Sequence, residues 1–465
     1  MRNLRIGHLP VYFGLFDEAM PGGFRSTRDA YRSTMHDLLA AHGDVVDPGL
    51  VDDAESASAA GELFARERVD VIVFAPTMAA PPGWAWTTIA AVDVPVIAVG
   101  AQESATVPDD YDTETATARS LPVGLVMLTN VLVRHGRPFT SVVGALDDDG
   151  FRQELDTALR SSAAVAAIRR RPLLCIGDPI GGYDDVMASH AELEALGVRT
   201  VPVSIDALNS EFASVGDDEV EATADDVRRR GDASAVSDET LERSSRLAVT
   251  LERLVDGHDA CGGAVNCHGP LFRRNPEVGI TACLGVSRLS EAGRPFACTG
   301  DIPTAIVLVL GKALTGSALY CELYQADLKG NWIMVANGGE GDFASREPRT
   351  GVTHLPEDHY AGEHGAGVAS VFELARGPAT LTSLSPAPTP GGWVLVAAEG
   401  EVLDSRHPTM EGPNGMFRFA SGPVEDAYTR WCEAGATHHA AVLPGHRRPE
   451  LETVTRLLGI ELRTA

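Results

Sequence analysis

The hydrophobic periodicity of this chain changes once, about two thirds of the way along its length. Up to residue 316, short β-branched runs alternate with stretches of helical spacing. Beyond residue 316, short alternating runs recur with turn residues between them, and helical spacing nearly disappears until Val424–Ala434. Strands separated by helices favour parallel, doubly wound sheets, whereas closely spaced alternating runs favour antiparallel sheets. The change therefore predicts two different architectures in one chain.

The length and the breaks in the pattern predict three domains. A chain of 465 residues is long enough for about three domains of ordinary size. The run of arginines at 169–171 ends one helical stretch, and a new apolar strand follows it. We predict an N-terminal α/β domain over 1–171, a central α/β domain over 172–316, and an antiparallel, barrel-like C-terminal domain over 317–465.

The charge and the cysteine pattern exclude several classes of partner. The chain has 65 acidic and 38 basic residues, which gives a net charge of −27, so it repels nucleic-acid phosphate and anionic membrane surfaces. We found no uninterrupted apolar run approaching about 18 residues and no signal-peptide pattern at the N-terminus. The seven cysteines are an odd number and form no CxxC pair. We therefore expect a reduced, cytoplasmic protein that acts on a small molecule and binds neither nucleic acid nor membrane.

Two motifs place polar side chains at the ends of predicted parallel strands, where ligands gather in α/β folds. The segment NCHGP puts His268 just beyond a buried strand. The segment ACTGDIPTA puts Thr299 and Asp301 between a strand and an apolar helix. Asp301 could cap that helix through its carboxylate, and this role is compatible with a place in the site.

Two further motifs lie in the predicted β-domain. CELYQAD surrounds Glu322 with apolar residues, and strand alternation directs Tyr320 and Glu322 to one face. A carboxylate in such surroundings needs a partner, a metal or a raised pKa. AGATHHAAVLPGH begins an apolar run with His438 and His439, whose rings would face opposite sides of a strand, so that only one could enter a given site.

HLPEDHYAGEH (354–364) is rich in possible ligands, but its turn residues predict a solvated loop or lid.

In this order, the motifs resemble those of the L-arabinose/L-fucose isomerase superfamily. CTGDIPTAIVLVLGKALTG is similar to that family's strand-to-helix passage, ALYCELYQADLKGN to its acidic strand, and AGATHHAAVLPGH to its C-terminal double-histidine strand. The resemblance implies two doubly wound α/β domains followed by an antiparallel β-rich C-terminal domain. It also implies a homotrimer or homohexamer.

The resemblance further implies a divalent-metal site from which half of the usual ligands are missing. The family binds Mn²⁺ or a similar ion with two glutamates and two histidines, and the glutamates also move protons during aldose–ketose isomerisation. The second glutamate corresponds to Glu322, and the C-terminal histidine to His439 or His438. The position of the family's first glutamate falls on Thr299, and the position of its other histidine falls on Asn337 or Gly338. This chain therefore lacks the usual ligand at both positions.

These departures lead to three hypotheses of function. The first is a non-heme Fe(II) enzyme that uses O₂ to oxidise or rearrange a small nucleoside-like or polyhydroxylated molecule in specialised metabolism, because two histidines and one carboxylate form a facial triad. The second is an Mn²⁺-dependent aldose–ketose isomerase in which Asp301 replaces the lost glutamate. The third is a non-catalytic sugar-binding protein.

The predicted metal ligands are Glu322, His439, His438 and His268. The predicted catalytic residues are Glu322, Asp301 and Thr299, and the predicted substrate contacts are Asn337, Tyr320 and Thr299.

Overall fold

The computed structural model describes residues 4–20, 22–107, 109–357, 365–389, 391–404 and 410–465. The chain divides into two compact units. The first unit comprises Met1–Ala166 together with Pro449–Gly459, and the second comprises Ala167–Arg448 together with Ile460–Ala465.

The first unit is built on a five-stranded parallel sheet with the strand order β2-β1-β3-β4-β5. Its elements are β1 (Leu4–Leu9), α1 (Phe16–Ala19), α2 (Phe24–Ala40), β2 (Gly43–Val46), α3 (Ala54–Glu67), β3 (Val71–Phe74), α4 (Pro82–Ala90), β4 (Val96–Gln102), α5 (Thr113–Ala118), α6 (Leu121–Arg134), β5 (Thr140–Ala145) and α7 (Asp149–Arg170). The helix α7 continues across the boundary at residues 166 and 167 into the second unit.

Helices cover both faces of this sheet, which explains the continuous apolar runs of its strands. Along the central strand β3, Ile72 packs into a core with Phe64, whereas Val73 packs into a separate core with Tyr31. Every residue of β3 is buried. Burial on both faces is the arrangement expected of a parallel, doubly wound sheet.

One helical stretch of the first unit resembles a membrane span in length and composition. Among the described residues, Thr113–Arg134 alone meets both criteria. The stretch consists of α5 and α6, which are separated by Arg119 and Ser120. Helices of soluble proteins pass the same test, so this stretch is weak evidence for a membrane.

The second unit begins with a four-stranded parallel sheet in the order β7-β6-β8-β9. Its elements are β6 (Leu173–Ile176), α8 (His190–Ala195), β7 (Thr200–Pro202), α9 (Ile205–Ser214), α10 (Asp217–Arg230), α11 (Asp238–Gly257), β8 (Gly262–Val265), α12 (Cys283–Glu291), β9 (Phe296–Ala297) and α13 (Ile302–Thr315). A single 3₁₀ turn spans Asp184–Val186.

The rest of the second unit is dominated by a β-barrel. Six antiparallel strands follow the order β14-β17-β10-β11-β16-β15, and pairing between β14 and β15 closes the barrel. A short terminal strand, β18, adds to β15 in parallel. The elements are β10 (Leu319–Asp327), β11 (Trp332–Ala336), β12 (Thr353–Pro356), β13 (Val368–Val371), β14 (Gly377–Pro386), β15 (Trp393–Val402), β16 (Asn414–Phe419), α14 (Val424–Glu433), β17 (His439–Pro444), α15 (Arg448–Leu458) and β18 (Glu461–Thr464), with a 3₁₀ turn over Phe343–Ser345.

The predicted fold class is confirmed: parallel α/β sheets precede an antiparallel β-rich region that contains a barrel. The domain boundaries after 171 and 316 stay predictions. The helical spacing of residues 184–196 predicts one helix there, but the structure has the 3₁₀ turn and the separate helix α8 instead. The reason is local, because Ser189 and Glu192 form a capping box that starts α8 at His190.

The predicted solvated loop at 354–364 is wrong at its beginning. His354 lies on β12, which pairs with β13, and both His354 and Glu357 are buried. Burial lowers the pKa of His354 to about 4, although the charge of Asp232 opposes the shift. The remaining residues of the motif, 358–364, lie outside the described residues.

Candidate active site

Three segments of the second unit bring polar side chains together. The strands β10 and β17 are antiparallel neighbours, and their register places Glu322 directly opposite His439. Residues opposite each other on neighbouring strands project from the same face of the sheet. Asp301 caps the N-terminus of α13, and its Oδ2 lies 2.8 Å from Nδ1 of His439. Nε2 of the same ring lies 3.4 Å from Oε1 of Glu322. The imidazole therefore lies between two carboxylates.

Asp301 both caps the helix and orients the histidine. It is fully buried, and its Oδ1 accepts a hydrogen bond from the backbone N–H of Thr304 at 2.8 Å. The contact with Oδ2 helps to raise the pKa of His439, as expected when a carboxylate oxygen accepts from the ring, so Nδ1 of His439 is the donor. This contact orients the ring with Nε2 towards Glu322. A carboxylate behind an imidazole in this way is the usual support of a metal-binding histidine.

Electrostatic coupling between the imidazole and the carboxylates determines their charge. Burial disfavours the charged form of His439, but Asp301 and Glu322 outweigh it and raise the pKa of His439 to about 9. Burial also disfavours the charged form of Glu322, yet His439 and Tyr324 hold the pKa of Glu322 below its usual value. Glu322 is therefore an ionised carboxylate at neutral pH, available as a base or as a ligand.

His438 lies beside His439, contrary to the prediction that the two rings face opposite sides. Their ring centroids are 3.8 Å apart. The reason is that β17 begins at His439, so His438 precedes the strand and does not follow strand alternation. Asp185 holds His438 through its backbone N–H at 2.9 Å and its Nδ1 at 2.6 Å. The ring of Tyr183 stands edge-on to His438, with the centroids 4.9 Å apart.

Glu322, His438 and His439 have the arrangement of a metal-binding group. Each offers one ligand atom, and these three atoms lie within 4.8 Å of one another. Within the described ranges, Nε2 of His439 is buried and makes no hydrogen bond of good geometry, since its contact with Glu322 is long. Two imidazole nitrogens and a carboxylate oxygen suit Mn²⁺, Fe²⁺ or Zn²⁺. These residues therefore fit the divalent ion that the family resemblance implies.

Tyr320 lies next to this group, and Thr299 is two residues from Asp301 in the sequence. The ring of Tyr320 is buried, and its centroid is 4.9 Å from that of His439. Thr299 has a left-handed backbone with φ of 56°, which is strained for a β-branched residue, and its hydroxyl donates to the carbonyl of Cys298 at 2.8 Å. Thr299 lies in the turn between β9 and α13, two residues before Asp301.

Asn337 and His268 make other contacts. Nδ2 of Asn337 donates to the carbonyl of Tyr320 at 2.7 Å, and its Oδ1 accepts from the N–H of Gly339 at 3.0 Å. Both ends of this amide therefore bond to backbone. His268 lies in the loop after β8 and contacts Arg273, and it is not part of the three-residue group. Its role as a ligand, like the substrate role of Asn337, stays a prediction.

Glu340 is a residue of the site that sequence reasoning missed. It follows β11, is only 4 % exposed, and contacts the thiol of Cys283. Burial, supported by the nearby negative charge of Glu322, raises the pKa of Glu340 to about 7, even though the positive charge of His439 and local hydrogen bonds oppose the shift. The signal was available in the sequence, because Glu340 closely follows a buried strand, as His268 and Thr299 do.

The loop that carries Glu340 is anchored on both sides. The N–H of Gly341 donates to Oγ of Ser287 on α12 at 3.0 Å. Asp342 accepts a hydrogen bond from Nζ of Lys312 on α13 at 2.7 Å, and both side chains are buried. The position of Glu340 therefore depends on the two helices that pack against its loop.

Comparison with known proteins agrees with this architecture. Residues 318–461, which include the whole barrel, match the family described as the L-arabinose isomerase C-terminal domain. A sulfoquinovose isomerase from Alkalicoccus urumqiensis is 22% identical over 338 residues, a span that covers 71% of this chain and 73% of the relative. Together these two similarities support a place for the chain in the arabinose/fucose isomerase-like superfamily.

The candidate site lies partly outside the segment that matches the family, residues 318–461. Glu322, Glu340 and His439 fall inside residues 318–461, whereas Thr299 and Asp301 precede it. Both comparisons support a scaffold of the isomerase family. Neither comparison supports the predicted Fe(II)-dependent oxidation.

Proposed function

We propose that this chain is a divalent-metal-dependent aldose–ketose isomerase in which Glu322 and Glu340 transfer protons. One observation carries the proposal: the buried carboxyl of Glu340 lies close enough to Glu322 and His439 for their charges to act on it, and the pKa values of Glu322 and Glu340 are displaced in opposite directions. Pairs of titratable groups with separated pKa values are typical of an acid and a base. The name of the isomerase relative supports the same reaction class.

Glu340 removes the main argument for oxidation. That hypothesis arose because the family's first glutamate falls on Thr299, which left Glu322 without a second carboxylate for proton transfer. Glu340 now supplies that carboxylate from a different position in the chain. With Glu340 in this role, Asp301 does not have to replace the lost glutamate. The contact of Asp301 with His439 supports a role in orienting that ring instead.

The charge states suit both half-reactions. Glu322, ionised at neutral pH, takes the proton from C2 of the aldose, while Glu340 gives its proton to the aldehyde oxygen. In the second half, Glu340 regains a proton from the hydroxyl on C2, and Glu322 delivers its proton to C1. The net change is an aldose converted to a ketose, and both glutamates return to their starting states. Each such proton transfer contributes about 10²–10⁴-fold to the rate.

A bound divalent ion would be held by Glu322, His438 and His439, and it would polarise the oxygens on C1 and C2 of the sugar. We propose Mn²⁺, with Fe²⁺ as the alternative. Asp301 acts behind these ligands as a positioning residue. Tyr320, whose ring lies beside that of His439, and Thr299, two residues before Asp301, are the proposed substrate contacts.

The test measures isomerisation and proton exchange together. Purified protein loaded separately with Mn²⁺ and Fe²⁺ is incubated in D₂O with pentoses, hexoses and sulfoquinovose, while ketose formation, deuterium incorporation and O₂ uptake are followed. We expect ketose and deuterium at C1 or C2 without O₂ uptake. Glu322→Gln should lose both the metal and turnover, because its carboxylate is the anionic ligand. Glu340→Gln should keep the metal and lose at least about 100-fold in turnover.

The matched control is Glu450→Gln, which replaces a buried carboxylate of the first unit. It should leave turnover within a factor of a few of the wild type. O₂ uptake without deuterium exchange would contradict the proposal and favour the oxidation hypothesis. Binding of sugars without either signal would favour the non-catalytic hypothesis.

A further inference from the structure

Arg273 is a buried cation that forms no ion pair with any carboxylate among the described residues. It is 8 % exposed, and its Nε is buried without a hydrogen-bond partner in the part of the chain that the structure describes. Its described side-chain contact is from Nη1 to Nδ1 of His268, at 3.3 Å. The chain has 65 acidic residues for 38 basic ones, so partners for arginine are plentiful elsewhere. A guanidinium buried without a counter-charge is costly and therefore points to an anion that arrives from outside.

The contact with His268 defines how that ring is protonated. A guanidinium has only donors, so Nδ1 of His268 accepts from Arg273 and a neutral ring carries its proton on Nε2. Burial and the positive charges of Arg273 and Arg274 lower the pKa of His268, which agrees with a neutral ring. The pair is consequently a cation with a polar neighbour, and neither residue supplies negative charge to the other.

The segment that carries Arg273 is held rigidly. Phe272, next to it, is fully buried in the core of the second unit. Asn275 donates to the carbonyl of Leu271 at 3.0 Å and to Oδ1 of Asn209 at 2.6 Å. The N–H of Arg273 itself bonds to the carbonyl of Cys267. A side chain on such a segment is positioned before any ligand binds, which favours affinity.

The same segment adjoins the candidate active site. The thiol of Cys267 contacts that of Cys298, the residue before Thr299. Upstream of the segment, the carbonyl of Val265 accepts a hydrogen bond from the N–H of Gly300, the residue before Asp301. Arg273 and the orienting carboxylate of Asp301 are therefore carried by segments in direct contact.

We propose that Arg273, with His268 beside it, binds an anionic group on the substrate, so that the sugar isomerised here carries a sulfonate, phosphate or carboxylate remote from its carbonyl. This inference rests on the proposed isomerase function. Arginine suits such groups because its planar fork of donors matches their oxygens. In a chain with a net charge of −27, a local cation is also what an anionic substrate needs to approach the site.

The experiment measures binding separately from turnover. Isothermal titration of wild-type protein without metal uses D-glucose, D-glucose 6-phosphate, 6-deoxy-6-sulfo-D-glucose and D-glucuronate. We expect at least one anionic sugar to bind about tenfold or more tightly than D-glucose, and the preferred one identifies the anionic group. Equal binding of D-glucose and all three anionic sugars would overturn the inference.

Variants then assign the preference to one side chain. Arg273→Gln should lose about tenfold or more in affinity for the anionic sugar and leave D-glucose binding unchanged, whereas Arg273→Lys should keep part of the preference. The matched control, Arg274→Gln, removes the same charge from an exposed neighbour and should have little effect. Equal losses in the Arg273→Gln and Arg274→Gln variants would overturn the role of Arg273.

Failure of the two proposals is distinguishable. Isomerisation of neutral sugars without any anion preference would contradict this inference and leave the isomerase function standing. Anion-selective binding through Arg273 without ketose formation from any sugar would support the binding site and contradict the isomerase function. Unchanged binding of D-glucose by Arg273→Gln shows that the variant is folded.

Discussion

At the scale of single residues, Asp301 combines two roles that a substitution can separate. Its Oδ1 caps α13 and its Oδ2 orients His439. Asparagine is as good a helix cap as aspartate, but it cannot provide a negative charge behind the imidazole. Asp301 is therefore the residue at which helix stability and metal affinity should respond differently to one change.

We predict that Asp301→Asn weakens Mn²⁺ binding about 10–100-fold, while it lowers the free energy of unfolding without metal by less than Asp301→Ala does, because asparagine keeps the helix cap. Titration calorimetry measures the first quantity and urea unfolding measures the second. Asp342→Asn serves as a comparison, because Asp342 is buried but does not contact His439. Unaltered Mn²⁺ affinity in Asp301→Asn would remove this carboxylate from the metal site.

At the scale of elements, one buried ion pair connects α13 to the loop that carries Glu340. Lys312 on the helix bonds to Asp342 on the loop, and Asp342 also accepts from the backbone N–H of Ala318 and Ala344. Burial raises the pKa of Asp342, although Lys312 opposes this shift. Removal of one partner would leave the other charge buried and uncompensated, which is much more costly than the absence of both.

We predict that Lys312→Met lowers the free energy of unfolding by about 3–5 kcal/mol, whereas Lys312→Met combined with Asp342→Leu lowers it by less. Urea unfolding of both variants at pH 7 measures the difference. The chain offers a matched control, since its other lysine, Lys329, is exposed in a turn. Lys329→Met should change stability by no more than about 0.5 kcal/mol. Similar losses for the two lysine variants would contradict the structural role of the pair.

At the scale of the whole molecule, the helix α6 presents apolar side chains to the surface. Val123, Val126 and Val133 are between 54% and 67% exposed, and α6 contains no acidic residue. Exposed apolar patches on soluble proteins often mark contacts between chains. Because the net charge of −27 makes copies of this chain repel each other, a face free of acidic groups is where two copies could approach.

We predict a homotrimer or homohexamer whose assembly involves α6. Light scattering at micromolar concentration should give a mass three or six times that of one chain, and Val123→Glu combined with Val126→Glu should reduce it. Leu328→Glu is the control, because Leu328 is 63% exposed in the second unit. A wild-type monomer would contradict the predicted assembly. An unchanged mass for the double variant would show that another surface holds the copies together.

The sequence by itself determined the order of the architectures and most of the candidate residues. Periodicity and strand ends are local properties of the chain, so the parallel sheets, the antiparallel barrel, Glu322, Asp301 and His439 could all be predicted. The helix predicted to start at Asp184 starts only at His190, as α8, and the helix α12 was missed, because capping and tertiary packing determine where such elements begin.

Only the tertiary structure decided how these residues meet, because distances between segments remote in sequence follow from packing. It placed His438 beside His439, since β17 starts one residue later than the apolar pattern suggested. It brought Glu340 near Glu322 by folding the loop after β11 between α12 and α13. It also left Arg273 buried with no acidic partner in the part of the chain that the structure describes, a property that depends on its surroundings and leaves no trace in the local sequence.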